Sequence, residues 1–334
     1  METVQMSDKE LERYAIIKRV VAKEVTQSFA ATQLSLTVRQ IKRLCAAYRQ
    51  QGANGLVSKQ RGVPSNRQSK PERKERIMTL VRQHYADFGP LLACEYLKSV
   101  HGQSLSSETL RQWMVADGLW KPKIKRKKRA HPTRERRACK GELIQIDGSP
   151  HAWFEDRAPK CTLIAFIDDA TSQLMGARFY PSETTIAYLD VLECYVSRYG
   201  RPLSLYSDRH SIFTTHKDED IDPTQFERAC LQLDIESILA LSPQAKGRVE
   251  RLFQTLQDRL LKALRLAGIS DMDIANRYLD STYIAQHNER FAVQPKEALD
   301  AHRAYSGASI DLTRICALHH TRQLSSTLSC QFEN

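Results

Sequence analysis

The spacing of apolar residues changes once along this chain, near residue 141, and that change constrains the fold more than any other feature. Up to about residue 120 the apolar side chains recur every three or four residues, which is typical of helices that bury one face. Beyond residue 141, short apolar runs such as CTLIAFIDD (161–169) alternate with longer helical patterns. This order predicts an all-α N-terminal part followed by an α/β domain in which helices flank a mixed sheet.

The composition indicates a globular protein with room for two or three domains. The chain has 334 residues, of which 41% are apolar and 27% are charged. No stretch is apolar enough to span a membrane, and the first ten residues, METVQMSDKE, lack the apolar core of a secretory signal. The eight cysteines include no Cys-x-x-Cys pair, so neither disulfides nor zinc is expected. We therefore predict a cytoplasmic protein without a membrane partner.

The net charge of +11 is distributed unevenly between the two parts of the chain. Residues 1–140 contain 30 of the 50 Lys and Arg residues but only 12 of the 39 Asp and Glu residues, a net charge of +18. The remaining residues carry a net charge of −7. A basic part joined to a mildly acidic part predicts a polyanion-binding unit, with double-stranded DNA as the first candidate and a merely solvated surface as the alternative.

The first basic segment predicts a helix-turn-helix. Helices are expected over 11–25, 26–34 and 38–50, with Thr37 as the N-cap of the third. On that helix Arg39, Gln40 and Arg43 lie outward, where a major groove could meet them. The alternative is a three-helix bundle whose polar face is only solvated. The apolar face of the third helix is formed by Val38, Ile41, Leu44, Cys45 and Tyr48.

A second helical set follows the basic linker 58–71, with helices expected over 72–85, 90–100 and 107–117. Its last helix directs Arg111 and Gln112 outward, which is typical of a second helix-turn-helix. The segment KPKIKRKKRAHPTRERRACK (121–140) then carries eleven positive charges against one negative charge. We expect this segment to follow DNA phosphates. Its central basic residues are Lys125, Arg126, Lys127 and Lys128.

Three carboxylates in the α/β part are the candidate catalytic groups. Asp147 is expected to end the first strand (142–148), Asp208 follows the strand 203–207, and Glu250 lies in the first turns of a helix over 246–266. Three converging carboxylates repel one another unless a cation joins them, and Mg²⁺ or Mn²⁺ prefers such oxygen ligands. Two such ions can activate a water or a 3′-hydroxyl and stabilise the leaving oxygen of a phosphodiester. The alternative is three unrelated surface acids.

The motifs around these acids resemble those of DDE transposases, most closely the ISNCY type of the retroviral-integrase superfamily. LSPQAKGRVERLFQTLQDRL (241–260) is similar to the third catalytic motif, ELIQIDGSPHAWFE (142–155) to the first and YSDRHSIF (206–213) to the second. The resemblance covers about residues 10 to 300. It also includes LTVRQIKRLCAAYRQQGANGL (36–56), as a helix-turn-helix, and HNERFAVQP (287–295), after the core.

This resemblance implies an RNase H-like core in which Asp147, Asp208 and Glu250 are the metal ligands, with Lys246 and Arg248 against the DNA ends. It also implies strand cleavage at element termini and strand transfer into target DNA, by at least a dimer, in a bacterial nucleoid. Asp168 and Asp169 are rival ligands, although turn capping or a pair with Arg178 explains them better. The implied domains are a helix-turn-helix domain (1–57), the linker 58–71, a second helix-turn-helix-like domain (72–120), the linker 121–140, the catalytic core (141–300) and the start of a C-terminal region (301–334).

The chain also departs from the pattern of that family. It lacks the zinc-binding domain of retroviral integrases, and Ser35 stands in the helix-turn-helix turn where the family tends to have Gly. Its last residues end where a small β-rich domain would begin, so we expect a C-terminally truncated protein. Two other functions stay open at this point: an impaired transposase that only binds element ends or represses, and a stand-alone metal nuclease.

Overall fold

The computed structural model describes residues 4–59, 69–122, 135–214, 222–240 and 247–322. The chain divides into two compact units, Met1–Ile124 and Lys125–Asn334. Of the residues described, no helix is both long enough and apolar enough to cross a membrane.

The first unit begins with the three predicted helices. Ile17, Ala30 and Ile41, one from each helix, are buried together. The first helix starts earlier than predicted, because Ser7 and Glu10 form a capping box, and Val25 lies beyond its end. Val38, predicted to be buried, is 39% exposed at the first position of the third helix. The helices are α1 (Asp8–Val21), α2 (Gln27–Gln33) and α3 (Val38–Gln51), followed by a 3₁₀ turn (Gly52–Leu56).

The turn between α2 and α3 needs a backbone conformation that favours glycine. Ser35 occupies it with φ of +52°. Its N–H donates to the carbonyl of Thr32, and the N–H of Leu36 donates to that of Ala31. The side chain at this position therefore does not prevent the helix-turn-helix connection.

The second helical set agrees with its predicted bounds to within one residue, because its boundaries carry strong signals. Pro71 and Pro90 occupy the first positions of their helices, and Ser106 accepts a hydrogen bond from the N–H of Thr109 at 3.0 Å. Gly102 ends the middle helix in the left-handed conformation. The helices are α4 (Pro71–His84), α5 (Pro90–His101) and α6 (Ser107–Ala116).

The second unit contains the predicted mixed sheet, with helices on both faces. Its strand order is β3-β2-β1-β4-β5; β1 is antiparallel to β2, β2 to β3, and β1, β4 and β5 are parallel. This confirms the α/β, RNase H-like core. The strands are β1 (Leu143–His151), β2 (Cys161–Asp168), β3 (Leu174–Tyr180), β4 (Ser204–Ser207) and β5 (Glu236–Leu239).

Alternate residues of β1 and β2 supply two hydrophobic clusters, one on each face of the sheet. Ile144 and Phe166 pack with α7, whereas Ala165 and Ile167 pack with α9. Helix α9 agrees with the helix predicted over 246–266, whereas the short helices α8, α10, α11 and α12 were not predicted. The helices are α7 (Thr185–Tyr199), α8 (Gln225–Gln232), α9 (Gly247–Leu266), α10 (Met272–Tyr278), α11 (Ile284–Phe291) and α12 (Ser309–Ile315), with a π-helical turn (Leu279–Tyr283) between α10 and α11.

Two asparagines protect the outer edge of β3. The side chain of Asn276 accepts from the N–H of Phe179 at 2.7 Å and donates to its carbonyl at 3.2 Å. Asn288 does the same at Leu174, at 2.7 and 2.9 Å. Unpaired strand edges invite association with other chains, and these amides satisfy the free backbone groups instead. The motif HNERFAVQP (287–295) thus contributes to packing the core.

Residues beyond 300, expected to begin a separate C-terminal region, pack on the core as far as they are described. Leu312 and Cys316 belong to the hydrophobic cluster under α7. The N–H of Arg303 donates to the carbonyl of Arg201, and the N–H of Ala301 to that of Lys140. The weak periodicity of this segment reflects its short helix and its irregular backbone. Residues 323–334 lie outside the described residues.

Candidate active site and nucleic-acid interface

Asp147 lies in the middle of β1 and not at its end, because the strand continues to His151. It pairs with Ala165 on β2, and Gln145 pairs with Ile167, so Asp147 and Gln145 share the face that α9 covers. Asp147 is half-buried. A carboxylate at this depth in a central strand requires an electrostatic partner.

Asp208 directly follows β4, the parallel neighbour of β1. The pairing runs Leu143 with Ser204 through Gln145 with Tyr206. The pairing ends there, two residues before Asp147 and Asp208, so both acids follow the paired stretch on neighbouring strands. The Asp208 carboxylate accepts a hydrogen bond from the N–H of His210 at 3.0 Å. The sequence prediction that these two acids lie at adjacent strands agrees with this register.

Glu250 lies in the first turn of α9, which runs along β1. Near its start the N–H of Val249 donates to Oε1 of Gln145 at 3.3 Å, and two turns later Gln257 donates to Oγ of Ser149 at 3.3 Å. Asp147 lies between Gln145 and Ser149 on the same face of β1. The Glu250 side chain is exposed, beside buried Val249 in the first turn of α9.

A buried acid holds the start of α9 against the sheet. Asp169 is fully buried, and its Oδ1 accepts from Gln145 Nε2 at 2.8 Å and pairs with Arg248 at 3.0 Å. Its Oδ2 accepts from the N–H of Arg137 at 2.9 Å. Asp169 thus joins the residues before β1, the centre of β1 and the first turn of α9. It positions the helix that carries Glu250.

Of the two rival acids of the β2–β3 turn, Asp168 has the capping role that we expected, whereas Asp169 pairs with Arg248 instead. Asp168 accepts from the N–H and Oγ1 of Thr171 at 2.7 and 2.6 Å and from the N–H of Gly141 at 2.9 Å, which caps the turn. The expected pair with Arg178 is wrong, because Arg178 lies 3.4 Å from Asp190 on α7. The Arg178 guanidinium donates to Asp190 and to Cys194, both on α7 and away from the turn.

Sequence reasoning missed Glu183 and Tyr188. Tyr188 lies in the hydrophobic cluster on the α7 face of the sheet, within electrostatic range of both aspartates. The Tyr188 hydroxyl donates to Glu183 Oε1 at 2.7 Å. Burial raises the pKa of Tyr188 above its usual range, and the charges of Glu183, Asp147 and Asp208 raise it further. All three carboxylates therefore lie within electrostatic range of one hydroxyl. The sequence did contain one signal for Glu183: in PSETT (181–185) it lies directly before the N-cap of a helix.

The chemistry of the three acids suits a hard divalent cation, since all their donor atoms are carboxylate oxygens. Over the described ranges, no three His, Cys, Asp or Glu side chains are grouped closely enough to hold a metal ion.

Two curated proteins match nearly the whole chain. It is 42% identical over 336 residues to "Putative transposase y4bF" of Sinorhizobium fredii (strain NBRC 101917 / NGR234), covering 100% of this chain and 73% of that protein. It is 36% identical over 327 residues to "Transposase for insertion sequence IS1202" of Streptococcus pneumoniae, covering 86% of this chain and 69% of that protein.

The chain belongs to the DDE transposases. It is therefore an enzyme of the polynucleotidyl transferase type that functions in DNA transposition. This confirms the predicted family, whereas the finer ISNCY type stays a prediction. No protein-family model matches the chain. Of solved structures, the HTLV-2 integrase catalytic core domain in complex with magnesium (dimeric form) is 18% identical, covers 44% of this chain and 92% of that one, and has a TM-score of 0.34, too low to contribute to the assignment.

The outward face of α3 is the strongest candidate DNA-binding surface of the transposase. Arg39 and Arg43 are exposed, as predicted, and within the described residues neither makes a hydrogen bond or an ion pair. Gln40 is also exposed, but its Oε1 already accepts from the N–H of Thr37 at 2.9 Å in a capping box. Its role in helix capping was not predicted.

The corresponding face of α6 is electrostatically different. Arg111 pairs with Glu108 at 2.6 Å, and Gln112 donates to the same carboxylate at 3.2 Å. The hydrogen bond from Arg111 lowers the pKa of Glu108 to about 2, so this pair is charged at neutral pH. Arg111 is half-buried and not fully outward as predicted.

Of the remaining predicted DNA contacts, only Arg248 lies within the described residues. Arg248 already forms an ion pair with buried Asp169, and only 15% of its side chain is exposed. The other predicted contacts, Lys125, Arg126, Lys127, Lys128 and Lys246, lie outside the described residues.

Proposed function

We propose that this transposase binds the terminal repeats of an insertion sequence and catalyses metal-dependent strand cleavage and strand transfer into target DNA. Asp147, Asp208 and Glu250 hold the divalent cations. The observation that carries this proposal is the parallel pairing of β1 with β4, because Asp147 and Asp208 each lie two residues beyond its last pair, Gln145 with Tyr206. Supporting it, Gln145 and Ser149 bind α9 along the same strand.

In this proposal, one group of residues binds the cations and another positions the helix that carries Glu250. Asp147 and Asp208 offer two carboxylates from one rigid sheet, and Glu250 approaches from α9. Asp169, Gln145 and Arg248 hold the first turn of that helix in place. Bound Mg²⁺ or Mn²⁺ supplies activation of a water or a 3′-hydroxyl and stabilisation of the leaving oxygen. No histidine is needed as a general base.

DNA binding is assigned first to α3, through Arg39 and Arg43, with Arg111 and Gln112 of α6 as a second contact. The basic residues around 125–128 and Lys246 add contacts to phosphates, which make the affinity depend on salt. Strand transfer joins two element ends to one target, so we propose that at least two copies assemble on paired ends.

Mg²⁺-dependent nicking of duplexes that carry the inverted repeats flanking this gene tests the proposal. The control is a scrambled duplex of equal composition, with EDTA as a second control. We expect nicking at the repeat boundary with Mg²⁺ only, and little on the scrambled duplex. Repeat-specific binding without nicking indicates an impaired transposase that acts as a repressor. Equal nicking of both duplexes indicates an unspecific metal nuclease.

A further inference from the structure

Glu183 occupies a position at the candidate site that the three-acid assignment leaves without a role. It lies between β3 and α7, one residue before the N-cap Thr184. Its half-buried carboxylate lies directly over Gly148, the residue after Asp147. A Cβ added to Gly148 would lie 2.7 Å from Cδ and 2.8 and 2.9 Å from the two oxygens of Glu183. The absence of a side chain at residue 148 is what allows this carboxylate to lie against β1.

Tyr188 fixes the carboxylate in that place. The tyrosine is fully buried, and its ring packs edge-on against Phe213, with centroids 4.8 Å apart, and Phe226, with centroids 6.1 Å apart. Its hydroxyl donates to Oε1 of Glu183 at 2.7 Å. A ring held by two aromatic neighbours has little freedom, so the oxygen it binds is held as well.

The electrostatic surroundings make this arrangement unfavourable for folding alone. The negative charges of Glu183, Asp147 and Asp208 all act on the same buried hydroxyl, which donates one proton to one of them. Three carboxylates at such a spacing repel one another. An acid before a helix N-terminus does gain from the helix dipole, but an exposed position before Thr184 would give that gain without the repulsion.

We propose that Glu183 is a positioning residue that acts through Asp147 and Asp208: its charge, held against β1 by Tyr188, strengthens divalent-cation binding by these two acids. This inference rests on the proposed function, because it takes Asp147 and Asp208 as metal ligands. The proposal also explains the glycine at position 148, because a side chain there would displace the Glu183 carboxylate.

Mn²⁺ binding by the full-length chain without DNA, followed by calorimetry or by the spin resonance of free Mn²⁺, tests the inference. Glu183→Gln keeps the shape and the acceptor for Tyr188 but removes the charge. We expect it to weaken Mn²⁺ binding about 10-fold or more, the size seen when groups supporting metal ligands are removed. The Mg²⁺ concentration for half-maximal cleavage should rise in parallel, with a small change in the rate at saturating Mg²⁺. Glu236→Gln, an exposed strand residue of β5, is the matched control.

Two further variants keep the test decisive if Glu183→Gln folds poorly. Tyr188→Phe retains the charge but releases the carboxylate, so a smaller loss in the same direction is expected. Gly148→Ala should weaken Mn²⁺ binding by displacing the carboxylate, and it should add no further loss in the Glu183→Gln background. Such non-additivity is expected only when two residues act through one interaction.

The failure of this inference can be distinguished from that of the proposed function. Unchanged Mn²⁺ affinity in Glu183→Gln, together with a lower unfolding temperature, makes Glu183 a structural acid of α7 and overturns the inference. If Asp147→Asn and Asp208→Asn also bind Mn²⁺ like the wild type, the metal-ligand assignment fails as well. Loss of Mn²⁺ binding in the aspartate variants but not in Glu183→Gln or Gly148→Ala removes this inference alone.

Discussion

The arginines of the two units are placed in opposite ways. Arg39 and Arg43 on α3 extend from an exposed helix face with no partner among the described residues. Arg248 on α9 is mostly buried and paired with Asp169, which is fully buried. Exposed cations are available for phosphates and bases, whereas a buried pair fixes geometry. Arg39 and Arg43 are therefore available to a binding partner, whereas Arg248 fixes the start of α9.

A similar contrast separates the two helix-turn-helix sets within the first unit. Among the residues that the structure describes, Arg39 and Arg43 of α3 have no acidic partner, whereas Glu108 pairs with Arg111 on α6. Arg82 of the second set is paired as well, with Asp117 at 2.8 Å and Glu75 at 2.7 Å. We infer that α3 contributes most of the discrimination between DNA sequences.

The largest expected effect comes from breaking the buried pair of the core. Asp169→Ala removes the acceptor of Gln145 Nε2 and the buried partner of Arg248, and losing one member of a buried ion pair costs about 3–5 kcal/mol. Denaturant unfolding of the full chain measures this loss, which should affect the core transition. Glu108→Ala, which breaks an exposed pair of the helical unit, is the control and should change stability little. Equal destabilisation by both variants would contradict the contrast between the units.

Discrimination between DNA sequences should depend on α3 more than on α6. Arg39→Ala or Arg43→Ala should lower the preference for terminal-repeat DNA over random DNA by about 1–3 kcal/mol if the arginine contacts a base edge. Arg111→Ala should have a smaller effect, because Glu108 already binds that guanidinium. Competition binding at fixed salt measures all three. Unchanged preference in both α3 variants would remove α3 from the interface.

Much of this architecture could be predicted from the sequence, because local signals mark it. Pro71, Pro90 and Ser106 fixed the starts of α4 to α6, and the apolar runs located β1, β2 and β4. The four unpredicted helices α8, α10, α11 and α12 are seven or eight residues long, too short for a clear helical period. The end of β1 was also missed, because Ser149 and Pro150 look like a turn in isolation.

The candidate site was predictable only in part, because local sequence signals mark some of its residues and not others. Asp147 and Asp208 follow from residue type and motif, but their proximity depends on the pairing of two parallel strands that lie 61 residues apart in the chain. Asp169, Gln145 and Glu183 act through contacts between distant segments, with no local pattern to reveal them. The opposed roles of Arg43 and Arg248 likewise depend on packing.

A smaller expected effect is a pH dependence of stability that arises from His287 in the core unit. Burial, with Arg259 and Arg290 nearby, lowers the pKa of His287 from 6.5 to about 4. Between these values the unfolded chain binds a proton that the folded chain does not, so stability falls as the pH falls below 6.5. We expect a loss of about 1 kcal/mol between pH 6.5 and 5.5 in the core transition. In His287→Gln this pH dependence should disappear; if it persists, another group causes it.

The central claim is that Asp147, Asp208 and Glu250 perform the chemistry while DNA binding is separate from it. Cleavage and binding of the same terminal-repeat duplex by Asp208→Asn, with Asp168→Asn beside it, test this most directly. The substitution Asp208→Asn keeps the shape and removes one negative ligand, so Mg²⁺-dependent cleavage should be abolished with end binding intact. Asp168→Asn should still cleave to the extent that it folds. Wild-type cleavage by Asp208→Asn, with loss of cleavage in a folded Asp168→Asn, would contradict the account.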